Sequence, residues 1–230
     1  MDREPRAVLF DLDDTLHDLR KYTFISFHQV AQKLSTAIRV ESGLLFLSMC
    51  KHYDESWWRS RVFDRVLKEF CDGERHEVVE KCIMWFHDAS HHAESLFQDT
   101  ITVLDFLKKR IRVGLLTDGP EKVQRKKIGE LGLLDYFDEI VVVEGRDEKP
   151  SPTGFLRICE ELSIQPREAL FVGDNPYRDV VGAQSVGMKV VWLRGTSIWV
   201  NRRLPVPLFV EPVQELSGLA DLLSLNFSCG

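Results

Sequence analysis

From residue 98 onward the sequence alternates short apolar runs with helical stretches, and this constrains the fold more than any other feature. The runs 113–116, 140–143, 169–172 and 189–193 are mostly Val, Leu, Ile and Phe, and the run 7–10 near the N-terminus matches them. Between them, 102–109, 121–132, the stretch after Pro152 and 180–187 carry helical periodicity. Residues 207–210 read as a last strand and 214–223 as a closing helix, with 194–206 irregular between them. Strands and helices alternating at this spacing predict βαβ units, and hence an α/β fold with a doubly wound, mostly parallel sheet. The strands are apolar nearly throughout, as expected when helices cover both faces.

One segment breaks the pattern. Residues 17–94 contain no convincing period-two run, and apolar residues recur at helical spacing instead, as in Phe24, Phe27, Val30, Ala31 and Leu34. The expectation is an inserted domain of about four helices, with 1–16 and 95–230 forming the α/β core. Trp57, Trp58 and Trp85 are expected to pack within the insert, as aromatic residues at helical spacing usually do. Arg59 and Arg61 read as a solvated face. His87 and His91 stand four apart and would share a helix face, but there is no HExxH pattern and no carboxylate at ligand spacing. A surface or hinge role suits them and His92 better than zinc.

Composition narrows the function classes. The formal net charge is −6 and no long basic run occurs, which argues against nucleic acid or an anionic membrane as the main partner. The short basic stretch 122–127 reads as an exposed helix face. The longest uncharged apolar patch, 43–50, is too short to span a bilayer, and the acidic N-terminus has no apolar signal region. Five scattered cysteines without a CxxC pair suggest reduced thiols in a cytoplasmic protein.

The chemistry is expected where the strands end. Asp11 and Asp13 follow the first strand and, two residues apart, would point to the same side of an extended chain. Two like charges so close favour a bound cation or a shared proton, although acidic residues also make turns. Thr117 and Asp118 follow the second strand, Lys149 lies past the third, and Asp174 and Asp179 follow the fourth. In doubly wound sheets ligands bind beyond the carboxyl ends of the strands. The fold would thus gather these groups in one crevice, which independent turns do not predict.

In order and strand context, Asp11-Leu12-Asp13-Asp14-Thr15, Thr117, Lys149 and Gly173-Asp174 through Asp179 resemble the four motifs of the haloacid dehalogenase superfamily. The glycine-containing stretch 181–188 is similar to that of the phosphoglycolate-phosphatase-like branch, and the helical insert resembles the superfamily's first type of α-helical cap. The resemblance implies a phosphatase acting on a small phosphorylated metabolite. Asp11 would be the nucleophile and Asp13 the general acid/base, with Thr117, Asp118 and Lys149 at the phosphate. Mg²⁺ would be held by Asp11, Asp174 and the main-chain carbonyl of Asp13, and Asp179 would either support the metal through a water or orient Lys149. The cap would close over the crevice to exclude water.

Asp118 departs from the asparagine common at its position, and the cap carries no clear subfamily signature. The presence of Asp13 favours phosphate esters over haloacids, because the dehalogenases lack an aspartate there. A sugar phosphomutase or other phosphotransferase, a 2-haloacid dehalogenase and a catalytically silent binding protein are the competing readings. The sequence leaves the oligomeric state, monomer or homodimer, open.

Overall fold

The structure, a computed structural model, describes residues 4–55, 61–72, 75–89, 93–193 and the backbone of 212–213. The chain divides into two compact units, one made of residues 1–19 and 93–230 and the other of 20–92.

The first unit is built on a sheet of β1 (Ala7–Phe10), β2 (Arg112–Asp118), β3 (Glu139–Val143), β4 (Ala169–Gly173), β5 (Lys189–Leu193) and β6 (Pro212–Val213). The spatial order is β3-β2-β1-β4-β5-β6 and every pairing is parallel. This is the doubly wound arrangement expected from the alternation. Its helices are α5 (Thr100–Lys108), α6 (Glu121–Glu130), α7 (Pro152–Glu161) and the short α8 (Gly182–Ser185), with a π-helical segment Pro176–Val181 running into α8. The last predicted strand and the closing helix lie outside the described residues. The two-residue β6 pairs with β5 just beyond the predicted strand.

Both faces of the sheet are dry, and the strand period of two shows how. Val8, Phe10, Leu115 and Val172 enter one apolar cluster with Leu104 and Leu107 of α5 and Ile128 of α6. Ala7, Leu9, Leu116 and Phe171 enter the other with Phe155, Ile158 and Cys159 of α7. Neighbouring strand residues point to opposite faces, so a strand with helices on both sides has no polar position to spare. Each fully buried large side chain contributes about 1.5–3 kcal/mol. That anchors β1 at the centre, with its C-terminal end carrying Asp11.

The second unit contains α1 (Leu19–Ile38), α2 (Ser42–Glu55), α3 (Val62–Phe70) and α4 (His76–Asp88). Its core of Phe27, Val30, Ala31, Leu34, Leu45, Met49, Val66 and Leu67 follows the helical spacing read from the sequence. Phe27 sits edge-on to Tyr53 and Phe63 at 5.8 and 6.0 Å, and the half-buried Trp85 packs against this core. Glu69 of α3 ties two helices together, accepting from Ser48 at 2.5 Å and bonding His52 at 2.9 Å, both on α2. His87 is exposed on α4 and Arg61 is exposed ahead of α3. Trp57, Trp58, Arg59, His91 and His92 lie outside the described residues. Among the described residues, no helix is long and apolar enough to cross a membrane.

Candidate active site

The register brings three of the expected motifs to one level. Phe10 pairs with Leu115 on one side and Val172 on the other, and the Asp11 N–H continues the ladder to the Val172 carbonyl at 2.9 Å. Asp11 and Asp174 therefore follow the ends of β1 and β4, while Thr117 and Asp118, expected just after the second strand, are its last two residues and pair with Val142 and Val143 of β3. Asp11, Thr117 and Asp174 are all at least 94% buried. The gap between β1 and β4 is where the strand order reverses, the place where doubly wound sheets bind ligands.

The turn after β1 is held by its own side chains. Leu16 N–H bonds the Leu12 carbonyl at 3.0 Å, and Asp14 takes the left-handed region at φ 61°. Thr15 donates to Asp11 Oδ2 at 3.1 Å, and Asp14 Oδ1 accepts the first N–H of α1, from Leu19, at 3.0 Å. Asp favours this role at a helix start, and tolerates positive φ better than most residues.

Lys149 is the hub of the crevice. Its ammonium donates to Asp11 Oδ1, to Asp179 Oδ1 at 2.7 Å and to the Leu116 carbonyl at 3.4 Å. Burial alone would lower its pKa, but Asp11 and Asp179 outweigh that and hold it well above the ordinary lysine value. Burial pushes Asp11 up to about 6 despite Lys149, with Asp179 and Asp13 adding to the rise. Asp118 is likewise raised by burial, with Lys149 opposing. Its carboxylate is turned to the protein: Oδ1 accepts Lys149 N–H at 2.9 Å and Oδ2 lies 3.2 Å from Arg178. Arg178 also bonds Glu148 at 2.8 Å and the Lys149 carbonyl at 3.2 Å. The negative charge that replaces the commoner asparagine thus clamps the lysine loop.

The fourth motif folds back on itself. Asn175 Oδ1 caps the π-helical segment, accepting from Tyr177 and Arg178 N–H at 3.0 and 3.1 Å, and Asn175 N–H donates to Asp179 Oδ2 at 2.9 Å. A π turn of this kind is rare and is often found at functional sites. Here it returns Asp179 to Gly173, where a Cβ would stand 2.5 Å from Asp179 Oδ2 and 2.6 Å from its Cβ and Cγ. Gly173→Ala is therefore expected to displace Asp179 and loosen Lys149. An activity loss of about 100-fold with about 1–3 kcal/mol of destabilisation should follow. Turnover measurements and urea unfolding test this, and wild-type values for both would contradict it.

Asp13 stands in a separate pairing. Both its oxygens accept from Lys127 of α6, at 2.7 and 2.9 Å, and Oδ1 also meets His17 Nε2 at 2.7 Å. Burial would raise this carboxyl, but Lys127 and His17 together hold it well below the usual carboxylate range.

With this geometry in place, comparison with known proteins is decisive for the family. The sequence pattern of haloacid dehalogenase-like hydrolases matches residues 8–193. The chain belongs to that family. This hydrolase is 28% identical to human N-acylneuraminate-9-phosphatase, over 97% of this chain and 96% of the relative. It is also 28% identical to a glyceraldehyde 3-phosphate phosphatase of Methanopyrus kandleri, over 82% and 84% of the two chains. Among solved structures, a HAD phosphatase from Thermococcus onnurineus superposes with a TM-score of 0.60 at 30% identity, covering 95% of this chain and 97% of its own.

The crevice of the hydrolase also has the donors a hard cation needs. Among the described residues, Asp11, Asp174 and Asp179 form the one cluster with ligand atoms all within 4.8 Å of one another, and all three are buried. Carboxylates outnumber the cationic groups Lys127, Lys149 and Arg178 around the crevice, and an all-oxygen set suits Mg²⁺.

Two residues of the hydrolase's site contradict or escape the sequence reading. The basic stretch 122–127 is not wholly an exposed helix face, because Lys127 is only 5% exposed. The signal was present in the spacing: Gln124, Lys127, Ile128 and Leu131 recur at helical intervals, and all four are buried. His17 is fully buried beside Asp13 and belongs to the first unit rather than the insert. Nothing in its local sequence distinguishes it from a residue opening a helix.

Proposed function

We propose that this hydrolase is a magnesium-dependent phosphatase that cleaves a small phosphate monoester through an aspartyl-phosphate on Asp11. The observation that carries this reading is the Lys149 ammonium spanning Asp11 and Asp179 beside Asp174, at the switch point of a parallel sheet.

Asp11 is the nucleophile. As a carboxylate it needs no base to activate it, but it must approach a phosphate dianion. Mg²⁺, held by Asp11, Asp174 and the main-chain carbonyl of Asp13, would supply the positive charge that lets two anions meet. Asp179 is committed to Lys149 and the Asn175 N–H, so it orients the lysine rather than the substrate. Lys149 and the Thr117 hydroxyl hold the phosphoryl oxygens, where fixed donors stabilise developing charge. The Asp118 carboxylate and carbonyl are occupied, which leaves its main-chain N–H for that purpose.

Attack by Asp11 Oδ on phosphorus breaks the ester P–O bond, and the leaving oxygen takes a proton from the Asp13 carboxyl, whose pKa the phosphate dianion brought beside it raises from its low value in the free protein. Water then attacks phosphorus, Asp13 takes its proton, and the acyl-phosphate bond breaks to give inorganic phosphate and free Asp11. Asp13 thus serves both halves, as acid and then as base. Two relatives are named for N-acylneuraminate 9-phosphate and glyceraldehyde 3-phosphate, which supports a small phosphorylated metabolite as substrate. The cysteines Cys50, Cys71, Cys82 and Cys159 are all free, which supports a cytoplasmic setting.

The test is a panel of small phosphate esters and p-nitrophenyl phosphate, with free phosphate as the readout. Release is expected with Mg²⁺, falling at least about 100-fold in EDTA and returning when Mg²⁺ is restored in excess. Release undiminished by EDTA would overturn the metal dependence. An isomerised phosphate with little free phosphate would make the protein a mutase instead.

A further inference from the structure

Lys127 lies outside the groups assigned to the phosphate and the metal, yet it is buried against Asp13. Its basic neighbours on α6 behave as surface residues do: Arg125 pairs with Glu121 at 2.8 Å, Lys126 with Glu130 at 3.6 Å, and Lys122 is exposed. Lys127 alone of the four turns inward. Burying an ammonium costs several kcal/mol unless a partner repays it. The partner is Asp13, whose two oxygens lie 2.7 and 2.9 Å from Nζ. The same face of α6 carries Gln124, whose Nε2 donates to the Asp118 carbonyl at 2.5 Å. One helix face therefore grips the loops after both β1 and β2.

A proton donor or acceptor is effective only when its oxygen is held within reach of the reacting bond. The Asp13 side chain is 25% exposed, and unheld it would sample several rotamers. We infer that Lys127 is a positioning residue, fixing both oxygens of Asp13 for proton transfer, with His17 sharing the task at Oδ1. The assignment rests on Asp13 being the acid/base group. It differs from a phosphate-binding role, which falls to Lys149 at Asp11 and Asp179.

A double-substitution cycle separates these roles. In the full-length Mg²⁺-loaded protein, Lys127→Met is expected to lower kcat for a small alkyl phosphate about 30- to 100-fold, up to the lower end of what general acid–base catalysis contributes because the acid/base group itself remains, with KM changed less than about 3-fold. In an Asp13→Asn background the same substitution should cost less than about 3-fold more, because the group it positions is already gone. Lys127→Arg, which keeps the charge, should recover part of kcat and serves if Lys127→Met fails to fold. Lys126→Met should match wild type. A rise in KM with kcat intact, or an undiminished loss in the Asp13→Asn background, would overturn the assignment. Should Asp13→Asn itself leave kcat intact, the acid/base reading would fail first and take the inference with it. If Asp13→Asn collapses kcat and Lys127→Met does not, only the positioning role fails.

Discussion

Asp11→Asn is expected to abolish turnover, with kcat for any accepted ester falling at least about 10⁴-fold, while the protein folds as well as wild type or better. An amide of the same shape cannot attack phosphorus at a useful rate, so the loss is that of the chemical step itself. Stability should not suffer. Burial already disfavours the charged form of Asp11, lifting it to about 6, so a neutral side chain removes an unfavourable charge from the metal-free protein. Lys149 keeps Asp179 at 2.7 Å and Asp118 at 3.7 Å as partners. Phosphate-release assays and thermal unfolding in EDTA test the two halves separately. Wild-type turnover in Asp11→Asn would end the aspartyl-phosphate mechanism. A sharp loss of stability would show instead that Asp11 is chiefly structural.

The opposite pattern is expected at Lys149. Lys149→Met should lose both function and stability, because the ammonium is the shared partner of Asp11 and Asp179 and all three are buried. Breaking a buried pair by removing one partner typically costs about 3–5 kcal/mol, since the remaining charge is left uncompensated. For a chain of this size that corresponds to a drop in Tm of about 6–20 °C. Turnover should fall about 10³-fold through loss of the fixed positive charge at the phosphoryl group. Adding Asp179→Asn to Lys149→Met should return part of the stability and none of the activity. Stability unchanged in the single variant would mean that the carboxylates take up protons or solvent at little cost, contrary to the packing around them.

The contrast between the two residues shows where sequence reading reaches its limit. The alternation of apolar runs and helical stretches specifies a parallel sheet because a strand covered on both faces has nowhere to put a polar side chain. Val8 and Leu9 go to opposite clusters, yet both must be apolar. The carboxylates at strand ends are legible for the same reason: a charge directly after a fully buried strand is costly unless it has something to bind. Asp11, Asp174, Asp179 and Lys149 could therefore be set side by side from their order alone.

Lys127 could not. In sequence it is the last of a basic run, and in most helices such a run is solvated. Its helical spacing with Gln124, Ile128 and Leu131 marks an inward face, but only the docking of α6 beside the turn after β1 decides that this ammonium meets Asp13, while Arg125 and Lys126 stay with glutamates along the helix. Asp118 is a similar case. The sequence marks an added negative charge near the phosphate, and only the fold supplies Arg178 and the Lys149 N–H to absorb it.

The sequence by itself determined the sheet and the strand-end groups, because these depend on periodicity and on residue types at fixed spacing, and its four motifs carried the resemblance to the family. The tertiary structure alone decided which charges meet, because a buried ion pair depends on where two distant segments come to rest. Asp13 and Lys127 are 114 residues apart in the chain and 2.7 Å apart in space.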